Sequence, residues 1–165
     1  MKLAKSLERL GTETAFSVLA EAKKLEAAGK PMIHLGLGQP DFKTPKHIVE
    51  AAKKALDDGH HGYVLSNGIL ECRQSVTRKI KKLYNQDIDP ERIIIMPGGK
   101  PTMSYAIQCF GEQGVEIIHP TPAFPIYESM INFTGAKAVP YDLTEDKELK
   151  FNPEKILSLI TDKTR

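Results

Sequence analysis

Ile93-Ile94-Ile95-Met96-Pro97-Gly98-Gly99-Lys100-Pro101 is the stretch on which the fold turns. Four apolar residues, three of them β-branched, predict a buried strand. Pro97, Gly98 and Gly99 break that strand and open a helix that runs through Phe110. Downstream the pattern repeats. Val115 to His119 reads as a second strand, a proline-rich turn leads into a helix near Ile126 to Phe133, and Gly135 ends that helix. Ala136 to Tyr141 gives a third strand, and Asn152-Pro153 opens a last helix reaching Ile160. Strands and helices in strict alternation predict an α/β layer around a largely parallel sheet. Thr161 to Arg165 leaves that helix as a polar exit, with no strand expected after it.

Upstream, Thr14 to Ala28 is an amphipathic helix with Ala15, Val18, Leu19, Ala22 and Leu25 on one stripe, closed by Gly29 and Pro31. Met32 to Leu37 is a short apolar run, a strand or an extended segment, and it enters the Gly36-Leu37-Gly38-Gln39-Pro40-Asp41-Phe42 turn. Thr44 is placed to cap a helix whose first position is Pro45, with Ile48, Ala51, Ala52, Ala55 and Leu56 as its stripe and Gly59 as its stop. Gly62 to Gly68 is a loop carrying Tyr63. Ile69, Cys72, Val76, Ile80 and Leu83 then recur at helical spacing through Tyr84.

The 165 residues are 41% hydrophobic and 27% charged, enough for one full core. Lys and Arg total 23 against 21 for Asp and Glu, a net charge of +2. That small excess, and basic clusters lying among acidic or apolar neighbours, argue for solvated helix faces and against a nucleic-acid or anionic-membrane partner. No apolar run approaches the ~20 residues of a membrane span, and Met1 to Arg9 lacks the apolar core of a secretory signal. Cys72 and Cys109 sit in apolar helical patterns and read as reduced, buried thiols. The Asn132-Phe133-Thr134 acceptor pattern carries no weight in the cytoplasmic protein these features predict.

The Gly98-Gly99-Lys100 turn is the strongest chemical signal. A helix N-terminus carries partial positive charge and amide donors, and glycine lets an anion approach the backbone. A phosphate or carboxylate site and a merely tight turn are both compatible with it. A P-loop is not: Ile94 stands where its first glycine belongs, and Pro101 replaces the magnesium-binding Ser or Thr. Gly36 to Phe42 is either a carboxylate-holding turn or simply a loop. Phe124, in Pro120-Thr121-Pro122-Ala123-Phe124-Pro125, falls beyond the carboxyl edge of a strand. It either stacks on a planar ligand or packs. The five histidines show no metal-ligand spacing, and no Ser-His-Asp set can be defended.

Taken in order, Ile33 to Phe42 with Thr44 to Ile48, then Tyr63, Gly68 to Arg73, Pro97 to Lys100 and Pro120 to Tyr127 resemble the class I/II aminotransferases. These are pyridoxal-phosphate enzymes of the aspartate aminotransferase fold, fold type I. The resemblance spans essentially the whole chain. It implies an N-terminal arm and small-domain segment over 1–44, and over 45–165 the first part of the large α/β domain with a truncated sheet. It also implies pyridoxal 5'-phosphate as cofactor, an amino acid and a 2-oxo acid as substrates, and a homodimer. Gly38 corresponds to the residue whose amide meets the substrate α-carboxylate. The amides of Gly99 and Lys100 correspond to the cofactor-phosphate pair, Phe124 to the ring stacking on the pyridine, and Tyr63 to the tyrosine that reaches the neighbouring subunit's phosphate.

Gln39, Cys72 and Pro101 depart from common family choices without disturbing those positions, and Phe124 replaces a frequent Trp. The family's later Asn-Pro segment, its pyridinium-pairing aspartate, its Schiff-base lysine and its C-terminal arginine cannot be placed on these residues. Lys100 is not that lysine. The resemblance therefore implies the N-terminal portion of such an enzyme, inactive by itself. Two other readings stay open: a non-catalytic α/β anion-binding or dimerising module, and a pyridoxal-phosphate lyase or synthase of the same fold.

Overall fold

The computed structural model describes residues 2–11, 14–36, 38–143 and 149–165, without the side chains of 14 and 15. Ala15 and Leu37 of the expected apolar patterns thus lie outside the described side chains. The chain divides into two compact units, one formed by residues 1–37 with 98–165, the other by 38–97.

In the first unit, α1 covers Thr14–Ala27 and α4 covers Gly99–Phe110. The strand β1 (Glu116–Thr121) is followed by α5 (Ile126–Thr134), β2 (Lys137–Asp142) and α6 (Pro153–Ser158). β1 and β2 are parallel, in a register running from Glu116 opposite Lys137 to Thr121 opposite Asp142. The connection through α5 is the one a parallel pair requires. Gly135 ends α5 in the left-handed conformation, at φ 89°, and the Asn152 side chain accepts from the Lys155 amide to cap α6.

The core of this unit is Val115, Ile131 and Ala136, with Ile107, Ile117 and Ala138 packed around it. Val115 and Ile117 alternate along one face of the sheet, as strand geometry dictates, and Ile131 of α5 fills the space above them at 1% exposure. Cys109 is exposed, contrary to the buried thiol expected from the pattern. It lies two residues beyond Ile107, so the helical period turns it away from the core-facing side. Cys72 is half-buried.

The polar exit after α6 meets the start of β1 through an isolated bridge. Thr164 forms a parallel bridge with Glu116, the Glu116 amide donates to the Lys163 carbonyl at 2.9 Å, and the Arg165 amide donates to the Glu116 carbonyl at 3.1 Å. The Glu116 carboxylate joins the same node. It accepts from Lys137 Nζ at 2.8 Å and from Thr161 Oγ1 at 2.8 Å. The bond from Lys137, then that from Thr161, holds its carboxyl below the usual carboxylate range.

The 3-10 turn Lys5–Arg9 packs against α5. Arg9 donates from Nε to the Asn132 carbonyl at 2.8 Å and from Nη2 to the Phe133 carbonyl at 2.7 Å, occupying carbonyls at the C-terminal end of α5. The segment 30–35 is tied back to α1 by a hydrogen bond of 2.6 Å between His34 Nε2 and Glu26 Oε1.

The second unit contains α2 (Lys46–Asp57) and α3 (Leu70–Tyr84), with a 3-10 turn at Pro90–Arg92. Pro45 lies just before α2 with an extended ψ of 137°, and no side chain caps the helix. Thr44 therefore does not cap, because the proline carbonyl itself starts the helix by accepting from the Ile48 and Val49 amides. At the other end Gly59 adopts φ 84°. Its amide donates to Leu56 and that of His60 to Ala55, a pair that satisfies the last carbonyls.

The expected strand at Ile93–Met96 does not form. Ile93 is extended, at φ −104° and ψ 130°, and the Ile95 amide donates to the Asn67 carbonyl at 3.1 Å. Among the described residues no strand pairs with it. Four apolar residues fix an extended conformation, but a strand also needs a ladder beside it. No helix among the described residues is long and apolar enough to cross a membrane.

Candidate functional site

Gly98 stands at φ 98° and ψ 166°, a region open essentially to glycine alone. This conformation lets the chain turn directly from the extended segment into α4. Nothing lies within 4 Å of the position a Cβ would take at Gly98, so the approach to the turn is open. Gly99 and Lys100 form the first turn of α4, where the helix carries its partial positive charge. Pro101 follows inside that turn, where its missing N–H costs no helical bond. Thr102 Oγ1 donates to the Gly98 carbonyl at 3.3 Å, bracing the turn from within the helix.

The Lys100 side chain adds a second element. Its ammonium lies 5.3 Å from the centroid of Phe16 and 5.5 Å from that of Phe124. Both are cation–π distances. The first unit therefore brings together the N-terminal turn of α4, a lysine ammonium and the Phe124 ring. Phe124 is 40% exposed and meets Tyr127 edge-on, with centroids 6.5 Å apart. It follows β1 directly, beyond the carboxyl edge of the parallel pair, where open α/β sheets place their ligands. Phe16 was not among the expected site residues. It lies off the Val18, Ala22 and Leu25 stripe of α1, and only the fold brings it to Lys100.

A cleft of about 540 Å³ lies beside Lys100, lined by Arg9, Gly11, Ser129 and Asn132 among others. The lining does not include Phe124 or the glycines of the turn. The amide of Gly11 donates to Ser129 Oγ at 3.0 Å across this wall.

Gly38 and Tyr63 belong to the second unit. Gly38 is exposed, with nothing within 4 Å of a Cβ position. Tyr63 is fully exposed in the 62–68 loop, followed by exposed Val64 and Leu65. The base of the loop is held from below by Arg73, which the sequence reading quoted in a motif without a role. At 2% exposure its guanidinium donates to the Gly68 carbonyl at 3.1 Å, the Pro90 carbonyl at 3.0 Å and Glu91 Oε1 at 2.7 Å.

The comparisons with known proteins agree with this architecture. The family model for aminotransferase class I and II matches residues 30–165. The chain is 36% identical over all 165 residues to the aspartate aminotransferase of Bacillus subtilis, and covers 42% of that protein. It is 37% identical to a (5-formylfuran-3-yl)methyl phosphate transaminase of Methanocaldococcus jannaschii, covering 99% of this chain and 42% of that one. The solved aspartate aminotransferase of Thermus thermophilus with maleate superposes at a TM-score of 0.92 with 28% identity, over 100% of this chain and 43% of that one. This chain belongs to the class I and II aminotransferase family, whose members depend on pyridoxal phosphate. It spans about 42% of the length of the curated relatives it matches.

The residues present fit that cofactor. An open glycine turn at a helix N-terminus suits a phosphate, and a half-exposed ring beside a cation suits an aromatic ligand carrying negative charge.

Proposed function

We propose that these residues form the phosphate- and ring-binding portion of a pyridoxal-phosphate aminotransferase that moves an amino group from an α-amino acid to a 2-oxo acid. The carrying observation is the convergence of the Gly98-Gly99-Lys100 helix turn and the Phe124 ring through the Lys100 ammonium. The Gly99 and Lys100 amides would hold the phosphate, and Phe124 would cover one face of the pyridine. Gly38 would present its amide to the substrate α-carboxylate, and Tyr63 would reach the phosphate of a second copy in a homodimer. Residues 1–44 form the arm and small-domain segment in this reading, and 45–165 the first part of the large domain.

When bound, pyridoxal phosphate supplies an electron sink for the substrate Cα. The chain's own part is to bind and orient. The helix end fixes the phosphate, and the aromatic face keeps water off one side of the ring. In this reading the family's Schiff-base lysine is not among these residues, and the 165 residues by themselves are expected to bind the cofactor without turning over substrate. Relatives at similar identity carry different substrate names. The feature their names share is the amino transfer, and the substrate side chain is left open by these residues.

The test is to compare equilibrium binding of pyridoxal phosphate, phosphate-free pyridoxal and inorganic phosphate. Binding of the first should exceed that of each of the others by about tenfold or more, since helix-end and aromatic contacts act together. Equal binding of pyridoxal phosphate and inorganic phosphate would leave a bare anion-binding module as the better account.

A further inference from the structure

We infer that Arg73 is a positioning residue for Tyr63, acting through the backbone of the 62–68 loop. This rests on the reading of Tyr63 as a phosphate contact. A guanidinium at 2% exposure costs desolvation energy unless its donors are matched, and here three acceptors match it. Two are carbonyls from separate segments, Gly68 at the end of the loop and Pro90 in the 3-10 turn; the third is the Glu91 carboxylate. Arg73 thus pins the end of the loop to an element seventeen residues further along the chain from itself.

The loop has few other anchors. The Gly68 amide donates to the Leu65 carbonyl at 2.9 Å, and the Asn67 carbonyl accepts from Ile95. Gly68 stands at φ 95°, and a Cβ there would lie 2.8 Å from Ile95 side-chain carbons, so the turn is pressed against Ile95 as well. Every one of these contacts falls at residues 65–68. Tyr63 itself is fully exposed, so its placement depends on the rigidity of the base beneath it. An arginine with a planar fork is suited to that task. A lysine keeps the charge but carries its donors on one nitrogen at the end of a flexible stem, without the fork that reaches separated acceptors.

The experiment combines hydrogen exchange over 62–68 with pyridoxal-phosphate affinity in wild type, Arg73→Lys, Tyr63→Phe and the double variant. Arg73→Lys should speed exchange in the loop about tenfold, the scale of losing a hydrogen bond to a charged group. It should weaken cofactor binding severalfold when Tyr63 is present and leave binding nearly unchanged in the Tyr63→Phe background. Glu91→Gln, on the exposed turn, should act in the same direction more weakly and serves if Arg73→Lys does not fold. Unchanged exchange in the folded variants, or additive losses of affinity, would overturn the role of Arg73 while leaving Tyr63 in place. No loss of affinity in Tyr63→Phe alone would overturn the Tyr63 reading, and this role for Arg73 with it.

Discussion

Replacing Gly98 by alanine is expected to weaken pyridoxal-phosphate binding by about tenfold to a hundredfold. The reason is conformational and not steric. The space around Gly98 is open, with nothing within 4 Å of a Cβ position, so a methyl group meets no neighbour. The backbone, however, stands at φ 98° and ψ 166°, where an L-residue is strained by about 1–3 kcal/mol. Alanine relieves that strain by turning the chain differently. The Gly99 and Lys100 amides then leave the positions from which, in the proposed reading, both would address one phosphate. Rebuilding the turn around the ligand costs the strain again, and that cost is read as lost affinity. Titration of Gly98→Ala with pyridoxal phosphate checks this, and an affinity equal to wild type would show that the turn does not hold the phosphate.

Ile131→Ala is the largest expected change in stability, a loss of about 2–5 kcal/mol. Ile131 is 1% exposed and lies at the centre of a small core with Val115 and Ala136. Ile107 of α4, Ile117 of β1 and Ala138 of β2 pack around it. Removing its outer carbons leaves a void bounded by two helices and both strands, and few neighbours are large enough to close it. The same deletion loosens α5, which begins just after Phe124, so cofactor affinity should fall along with the urea midpoint. A midpoint shift worth less than about 1 kcal/mol would mean that the core collapses around the void.

Much of this architecture is written in local chemistry. Pro97-Gly98-Gly99, Gly135 and Asn152-Pro153 mark helix ends whatever lies around them, and α4, α5 and α6 start or stop beside these signals. The two strands β1 and β2 were legible as short apolar runs, Val115 to His119 and Ala136 to Tyr141, with a single helix between them. Ile93–Met96 was misjudged because the same residue types are extended with or without a neighbouring strand, and the neighbour is not encoded locally. Thr44 and Pro45 compete to start α2, and the proline carbonyl prevailed. The contact of Lys100 with Phe16 joins residues far apart in sequence, and no spacing rule points to it. Arg73 was hidden for a different reason. On a helix with Arg78, Lys79, Lys81 and Lys82 it reads as one more solvated cation, yet it is the one turned inward to three acceptors. The Gly98 turn, Lys100 and Phe124 were legible as candidates; Tyr63 and Gly38 took their roles from the order of motifs alone.

The most direct test of the central claim is an amino-transfer assay on the purified 165-residue chain, saturated with pyridoxal phosphate and supplied with aspartate or alanine and a 2-oxo acid acceptor. Binding contacts without the proton-moving lysine predict a saturable cofactor and no turnover above that of free pyridoxal phosphate. Turnover clearly above that background would contradict the account, because a residue within these 165 would then be doing the work assigned to the lysine.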